Sequence, residues 1–325
     1  MQKTDLSIIM PVYNAEMHVG ESIRSILNQN LPEFELIIVD DGSTDRSLEI
    51  AGAFRDDRIR LFCNEQNRGI AFSRNRGIHE ARGRYIAAFD ADDVAMPGKF
   101  EKQVRFLESH SSFGMVGSWA KKIDQNGRVL PGRWKLGAKP SSIPSILLFR
   151  NYFCHSAVVM RREAIPPGGY DARFRTNEDY NMWIEIAKQW KVWNLPEYLV
   201  HYRVHPGGVT SSGHAVVEYH DGKIYTESFK ALGIELSPGQ MDNLLFIKSG
   251  RPAPDPDTLL RIEQFLQMVI EKNARRRLYN QSGFQRTILG RWLKVCLIQE
   301  GPSLLNMLKF MRSSLLRKYL FKSYG

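Results

Sequence analysis

Within the first hundred residues, short apolar runs of strand length alternate with stretches that repeat apolar residues at helical spacing. No other feature of the sequence restricts the fold as strongly. Leu6–Val12, Phe34–Val39, Ile59–Cys63 and Tyr85–Phe89 are rich in isoleucine, valine and aromatic residues. Between them, Ala15–Gln29 sets Val19, Ile23, Ile26 and Leu27 on one helical face, and Asp45–Phe54 and Ile70–Ala81 read the same way. This order implies the α/β class: a mostly parallel sheet flanked by helices. Ligands of such sheets bind outside the carboxyl ends of the strands. Those ends are followed here by Tyr13-Asn14, Asp40-Asp41-Gly42, Asn64–Gly69 and Asp90-Ala91-Asp92-Asp93.

Further along, a helix is expected over Pro97–Glu108, a strand over Met115–Trp119 and a hairpin turn at Asp124-Gln125-Asn126-Gly127. Ser156–Met160 and Val200–Val204 read as strands and Asn177–Trp190 as a helix. Gly/Ser-rich Pro206–Gly213 closes the α/β region, so two domains are expected, 1–213 and 214–325, the second helical. Within the second, Gly250–Asp257 reads as a proline-bearing linker between helical stretches, with Thr258–Leu278 and Ser303–Phe321 as amphipathic helices.

Composition narrows the class. With 43% hydrophobic and 25% charged residues, the 325-residue chain is expected to fold, and no apolar run reaches the ~18 residues of a membrane span. The N-terminus enters its first strand without an apolar leader, so no secretory signal is expected. The three cysteines, Cys63, Cys154 and Cys296, lack metal or redox spacing and read as buried thiols of a reducing, cytoplasmic compartment. The net charge of +10 is uneven: residues 275–325 hold 11 of the 45 Lys/Arg and one of the 35 Asp/Glu, leaving the remainder balanced. A basic tail on a neutral body implies an anionic partner.

Three carboxylates after a buried strand repel one another, so Asp90, Asp92 and Asp93 point to a hard divalent cation such as Mg²⁺ or Mn²⁺ carried by substrate phosphates. Helix capping by Asp93 is the plainer alternative. Asp40 and Asp41 either accept from a nucleoside or shape a turn with Gly42, with Thr44 or Asp45 as helix cap. Arg74 is a candidate phosphate ligand, or a solvated helical arginine. Glu178-Asp179 opens a helix, where acids complement the dipole, but a carboxylate there also suits a general base. Taken alone, His205 reads as a loop histidine.

Ile8-Ile9-Met10-Pro11-Val12-Tyr13-Asn14, Val39-Asp40-Asp41-Gly42-Ser43-Thr44-Asp45, Asn67-Arg68-Gly69, Ser73-Arg74-Asn75 and Asp90-Ala91-Asp92-Asp93 occur in that order. Gly168-Gly169-Tyr170-Asp171, Glu178-Asp179 with Trp183, and Tyr202-Arg203-Val204-His205-Pro206 follow. This ordered set, over residues 5–210, resembles the family 2 inverting glycosyltransferases of the GT-A (Rossmann-like) fold. The resemblance implies that Pro11, Tyr13, Asp40 and Asp41 line the nucleotide pocket, with Asp40 facing a base, typically uracil. It implies Asp90 near the ribose, Asp92 of the DxD motif on the Mn²⁺ or Mg²⁺ of the diphosphate, and Asp179 as catalytic base. Arg203 and His205 would close over the diphosphate, His205 as a further metal contact. The Gln-x-x-Arg-Trp motif of processive relatives is missing: Leu130 and Ile288 stand where glutamine would precede Arg133-Trp134 and Arg291-Trp292. Transfer of one sugar per encounter follows as the expectation.

In Ser303–Phe321, Leu304, Met307, Leu308, Met311, Leu315 and Tyr319 share one helical face, away from which lie Lys309, Arg312 and Arg317. Such a helix either lies on an anionic membrane or packs against the body of the protein. With the charge segregation, the expectation is a peripheral protein on the inner face of the cell membrane, building a surface glycan on a glycan or lipid-linked acceptor. No nucleic-acid motif accompanies Arg275-Arg276-Arg277, so nucleic acid is not an expected partner. Two other functions fit these residues less well. A sugar-phosphate nucleotidyltransferase would want a Gly-rich basic loop where Pro11-Val12-Tyr13-Asn14 stands. A silent binding or scaffold protein would be favoured by loss of Asp92 or Asp179, and both are present.

Overall fold

The computed structural model describes residues 5–31, 33–208, 214–249, 255–298 and 311–320. It divides into two compact units: Met1–Pro140 with Tyr152–Val217, and Ser141–Asn151 with Glu218–Gly325. Segment 141–151 lies within the expected first domain but is grouped with the helices.

In the first unit, β1 (Leu6–Val12), β2 (Phe34–Asp40), β3 (Ile59–Cys63) and β4 (Tyr85–Ala88) pair in parallel, in the order β3-β2-β1-β4. β1 and β2 are buried at every position, which is why they read as unbroken apolar runs. The connecting helices are α1 (Val19–Leu27), α2 (Ser47–Gly52) and α3 (Ile70–Glu80). Val12 is level with Asp40, and Ile9 with Ala88, so the residues following β1, β2 and β4 emerge along one edge.

Beyond β4 the sheet becomes mixed. It continues β8 (Val159–Arg161), β6 (Phe113–Ile123), β9 (Lys191–Arg203) and β5 (Val94–Ala95), with β7 (Val129–Trp134) on β6. The β4–β8, β6–β8, β6–β7 and β5–β9 pairs are antiparallel, and β6–β9 is parallel. The expectation of a mostly parallel sheet therefore describes residues 6–88, whereas the later half alternates. β9 is much longer than Val200–Val204, and its pairing with β6 slips near Pro196, which has no N–H to give the ladder. Ser156 belongs to a 3-10 turn, His155–Ala157, and not to the strand that follows.

α4 (Lys99–Ser109) begins after Gly98, so Asp93 does not cap it. Asp45 does serve the start of α2, where its Oδ1 accepts from Ser47 N at 2.9 Å. Cys154 and Cys296 are buried, but Cys63 is exposed at the end of edge strand β3, which corrects the reading of three buried thiols.

The second unit comprises α5 (Ile143–Leu147), most of α7 (His214–Ala231; the preceding α6, Glu178–Gln189, belongs to the first unit), α8 (Pro238–Ser249), α9 (Pro256–Arg276), α10 (Gln281–Ile298) and α11 (Ser314–Leu320). Phe149, Phe229, Phe265, Leu266, Ile270, Phe284 and Trp292 build its core. Asp255 caps α9, accepting from Thr258 N at 2.6 Å. Leu304, Met307 and Leu308 of the expected amphipathic face lie outside the described residues. Of the remainder, Met311 is exposed, but Leu315 is buried in this core and Tyr319 packs against it. The Leu315–Tyr319 part of that face is therefore covered by the protein itself, and Met311 is not. Among the described residues no helix is long and apolar enough to cross a membrane.

Candidate active site

The site is assembled along the carboxyl edge of β1, β2 and β4. Pro11 is buried within β1, and Tyr13, just beyond it, is 49% exposed. Asn14 then takes a left-handed turn (φ 47°), and its Oδ1 accepts from Thr44 N at 2.9 Å, joining this loop to the one after β2.

Asp40 and Asp41 are both buried, with different duties. Asp40 Oδ2 accepts from Gly42 N and Ser43 N at 3.1 and 3.0 Å, while its Oδ1 has no hydrogen-bond partner. It is a buried carboxylate oxygen at a strand end whose accepting capacity no protein group meets. Asp41 is fully engaged: Oδ1 accepts from Asn64 Nδ2 (2.6 Å) and Arg68 N (3.0 Å), and Oδ2 from Gly69 N (2.9 Å). It shapes the 64–69 loop and presents no free oxygen to a nucleotide. Gly42 (φ 73°) passes so close to this loop that a Cβ would stand 2.8 Å from the Gln66 carbonyl carbon.

Asp90 sits in a buried ionic cluster. Its backbone N donates to Ser156 Oγ at 3.0 Å, and its Oδ1 meets Arg74 Nη2 at 2.8 Å and His155 Nδ1 at 3.1 Å. His155 Nε2 in turn lies 3.1 Å from the Tyr170 hydroxyl. Burial opposes ionisation of Asp90, but His155 and Arg74 more than offset it and hold the carboxyl well below the usual range. Arg74, 4% exposed, also donates through Nη1 to Glu178. Burial disfavours its charge, yet Glu178 and Asp90 raise its pKa further. In this structure Arg74, the candidate phosphate ligand, bridges two carboxylates.

Glu178 and Asp179 open α6 after Asn177, itself left-handed at φ 64°. Glu178 is buried, and burial lifts its pKa against the pull of Arg74. Asp179 is less buried, and its Oδ1 accepts from Tyr180 N at 2.6 Å. Next to Arg74, Asn75 pins the other approach to this cluster: its Nδ2 donates to Tyr170 O and its Oδ1 accepts from Tyr170 N, both at 2.7 Å. Gly169 (φ 71°) makes this fit possible, since a Cβ there would stand 2.3 Å from Asn75 Oδ1.

The second cluster centres on Asp92. Its Oδ2 lies 3.0 Å from His205 Nε2, and His18 packs edge-on against the His205 ring. The hydrogen bond that Asp92 accepts raises the His205 pKa despite partial burial. Arg203, 3% exposed, is a strut: Nε donates to Asp92 O (2.7 Å), Nη1 to Asp124 O (3.0 Å) and Nη2 to Glu21 Oε2 (2.6 Å). Its backbone N donates to Asp93 Oδ1 at 2.8 Å. Burial, then the charges of Asp92 and Asp90, push the Asp93 pKa well up.

Among the described residues no three His, Cys, Asp or Glu are placed to hold a metal by themselves. Asp92 and His205 do supply one carboxylate oxygen and one imidazole nitrogen facing each other. That donor set fits a divalent ion whose remaining ligands come from substrate phosphates and water, and does not fit an all-protein cage. The structure thus brings Asp92 to His205, Asp90 to Arg74 and Arg74 to the residue beside Asp179. His155, Ser156, Glu21 and His18 escaped sequence reasoning. The polar His155-Ser156 pair inside the apolar run Phe153–Val159 was the available signal for the first two.

An unpartnered acceptor at a strand end, an acid–histidine pair and a second acid at a helix start are thus the polar groups this α/β sheet carries along its carboxyl edge. The chain matches the model of glycosyl transferase family 2 over residues 7–167. It is 33% identical over 213 residues to an uncharacterised glycosyltransferase of Methanocaldococcus jannaschii, covering 63% of this chain and 72% of the relative. It is 31% identical over 224 residues to the O-antigen biosynthesis glycosyltransferase WbnJ of Escherichia coli, covering 66% and 85%. S. aureus TarS 1-349, in complex with UDP-GlcNAc, shares the fold with a TM-score of 0.60 at 19% identity, over 91% of each chain. The protein belongs to glycosyl transferase family 2.

Proposed function

We propose that this protein is a metal-dependent, inverting glycosyltransferase that moves one sugar from a nucleotide-sugar, a UDP-sugar first, to a hydroxyl of a glycan or lipid-linked acceptor in surface polysaccharide synthesis. The observation that carries this reading is the pairing of Asp92 with His205 at 3.0 Å from segments 113 residues apart. Both arginines assigned to the phosphates are occupied by protein acceptors, so the charge of a diphosphate calls for another cation at that pair. A Mn²⁺ or Mg²⁺ bound there would neutralise charge on the leaving diphosphate. The UDP-GlcNAc complex of TarS and the O-antigen role in the name of WbnJ support the donor and pathway class.

In this reading the unpartnered Asp40 Oδ1 accepts from a base N–H, and Tyr13 stands at the pocket's exposed mouth. Asp179 takes the proton of the acceptor hydroxyl. That oxygen bonds to the anomeric carbon as the carbon–diphosphate oxygen bond breaks, and the nucleoside diphosphate leaves with the electron pair. One displacement inverts the centre. Arg74 holds the Asp90 loop and the start of α6 in one frame. The basic helical unit would keep the protein at the cytoplasmic face of an anionic membrane, near a lipid-linked acceptor.

Calorimetry with UDP, GDP and dTDP, each with and without Mn²⁺, tests the site. One nucleotide is expected to bind, more tightly with metal, and Asp92→Ala is expected to lose that gain. Asp179→Asn should bind the nucleotide normally and lose transfer by about 10²–10⁴-fold. No binding by the folded protein would favour a scaffold, and a long homopolymer product would refute single-sugar transfer.

A further inference from the structure

We propose that the corner between α9 and α10 is the surface that seats this protein on an anionic bilayer. The inference places the membrane contact of the preceding reading on particular residues, and it stands or falls independently of sugar transfer. From Lys272 to Gln299 there is no acidic residue, while Lys272, Arg275, Arg276, Arg277, Arg286, Arg291 and Lys294 are basic. Arg275, Arg276, Arg277 and Arg286 are exposed, and Arg275–Arg277 form no ion pair among the described residues. Beside them Leu278 is 47% exposed.

The corner is held rigidly from within. Buried Asn273 donates through Nδ2 to Tyr279 O (3.1 Å) and Gln281 Oε1 (3.0 Å), and its Oδ1 accepts from Tyr279 N (2.9 Å). The Tyr279 ring stacks on Phe284, centroids 5.1 Å apart and planes within 10°. Arg277 takes a left-handed turn (φ 54°) that ends α9 and directs Leu278 outward. The Arg276 guanidinium lies over Gly233, whose N donates to Lys230 O, so the turn that carries exposed Lys230 also comes to this corner. The acids nearest in sequence are Glu235 and Glu271, two against the seven basic residues of 272–299.

Exposed arginines beside an exposed leucine on a held backbone corner suit the boundary between lipid headgroups and acyl chains, where the cations meet anionic headgroups and the leucine enters below them. A nucleic acid would instead be expected to use aromatic stacking platforms, and Tyr279, the aromatic of this loop, is turned inward onto Phe284. The contact also differs from the tail helix expected from sequence, since Leu315 and Leu316 are committed to the core.

Co-sedimentation of the full chain with phosphatidylglycerol/phosphatidylcholine vesicles and with pure phosphatidylcholine vesicles, at low and high salt, is the test. Binding is expected only to the anionic vesicles and should weaken with salt. The triple variant Arg275→Gln, Arg276→Gln, Arg277→Gln should reduce partitioning on the order of 100-fold, at about 5-fold per basic residue near the surface. A triple lysine variant should keep most of the binding, and Leu278→Ser should lose a smaller part. Circular dichroism would establish that each variant is folded. Absence of binding at low salt, undiminished binding by the folded triple glutamine variant, or binding to duplex DNA in place of vesicles would each overturn the proposal.

Discussion

Arg74 and Arg203 of the first unit carry the same side chain as Arg275, Arg276 and Arg277 of the second, in opposite surroundings. The first two are almost fully buried and divide their N–H groups among carboxylates and carbonyls. The other three stand in solvent without an ion pair among the described residues. A buried guanidinium fixes the positions of the groups around it, and removing it leaves uncompensated charge. An exposed one contributes little to stability and remains available to a partner. The same residue type therefore serves construction in one unit and recognition in the other.

The largest test of this contrast is Arg74→Met, which would leave Asp90 and Glu178 without their shared cation. A loss of about 3–5 kcal/mol is expected in urea denaturation. A loss below ~1 kcal/mol would show that the two acids simply take up protons and that the bridge is dispensable. Gly169→Ala comes next, at about 2 kcal/mol, because a side chain at φ 71° is strained and meets Asn75. If Gly169→Ala instead folds as stably as the native chain, the Asn75–Tyr170 pair is not rigid.

Lys99 extends the contrast to a cation without a partner. It is fully buried, and its Nζ lies 4.0 Å from the Phe100 ring centroid with no hydrogen-bond acceptor. Burial pushes its pKa well below the usual lysine range against the opposing influence of Cys154 and Asp93. The native state therefore holds the proton less tightly than the unfolded chain, in which Lys99 is charged at every pH below the ordinary lysine value. Lys99 thus costs stability at pH 7, and this cost fades as pH rises toward about 10. Lys99→Met is expected to raise stability by about 1–2 kcal/mol at neutral pH, with the gain shrinking in alkaline denaturation curves. A pH-independent effect would mean that the amine stays charged. The smallest effect belongs to Arg275→Gln, Arg276→Gln and Arg277→Gln, each expected within about 0.5 kcal/mol of the native stability by thermal denaturation.

The parallel strands, their helices and the acids at the strand ends were legible because both signals are local: a periodicity and a residue following it. Asp92, Asp40 and the Glu178-Asp179 helix start were visible in this way, whereas His205, by itself a loop histidine, was marked only by the family resemblance. What Arg74 and Arg203 touch was not legible, since Glu178 lies 104 residues from Arg74, and Glu21 182 from Arg203. No local pattern distinguishes an arginine that will meet a phosphate from one that will meet a carboxylate. The sequence pattern marks only the end of β9, because Pro196 breaks the run, and nothing in the segment of Cys63 marks β3 as the sheet edge. The apolar face of α11 gave no hint whether protein or lipid would cover it. Packing between segments decides that.

Arg74 and Asn75 are neighbours on one helix, yet the first reaches the Asp90 loop and the start of α6 while the second clasps Tyr170. α3 thereby acts as a gauge block against which two distant stretches of chain are set. A one-residue insertion inside α3 would turn both side chains away together. Insertions at the β6–β7 hairpin, around Asp124–Gly127, enter neither of these clasps. Evolution can therefore remodel the hairpin tip without disturbing the Asp90–Arg74–Glu178 link, provided that the Asp124 carbonyl still receives Arg203.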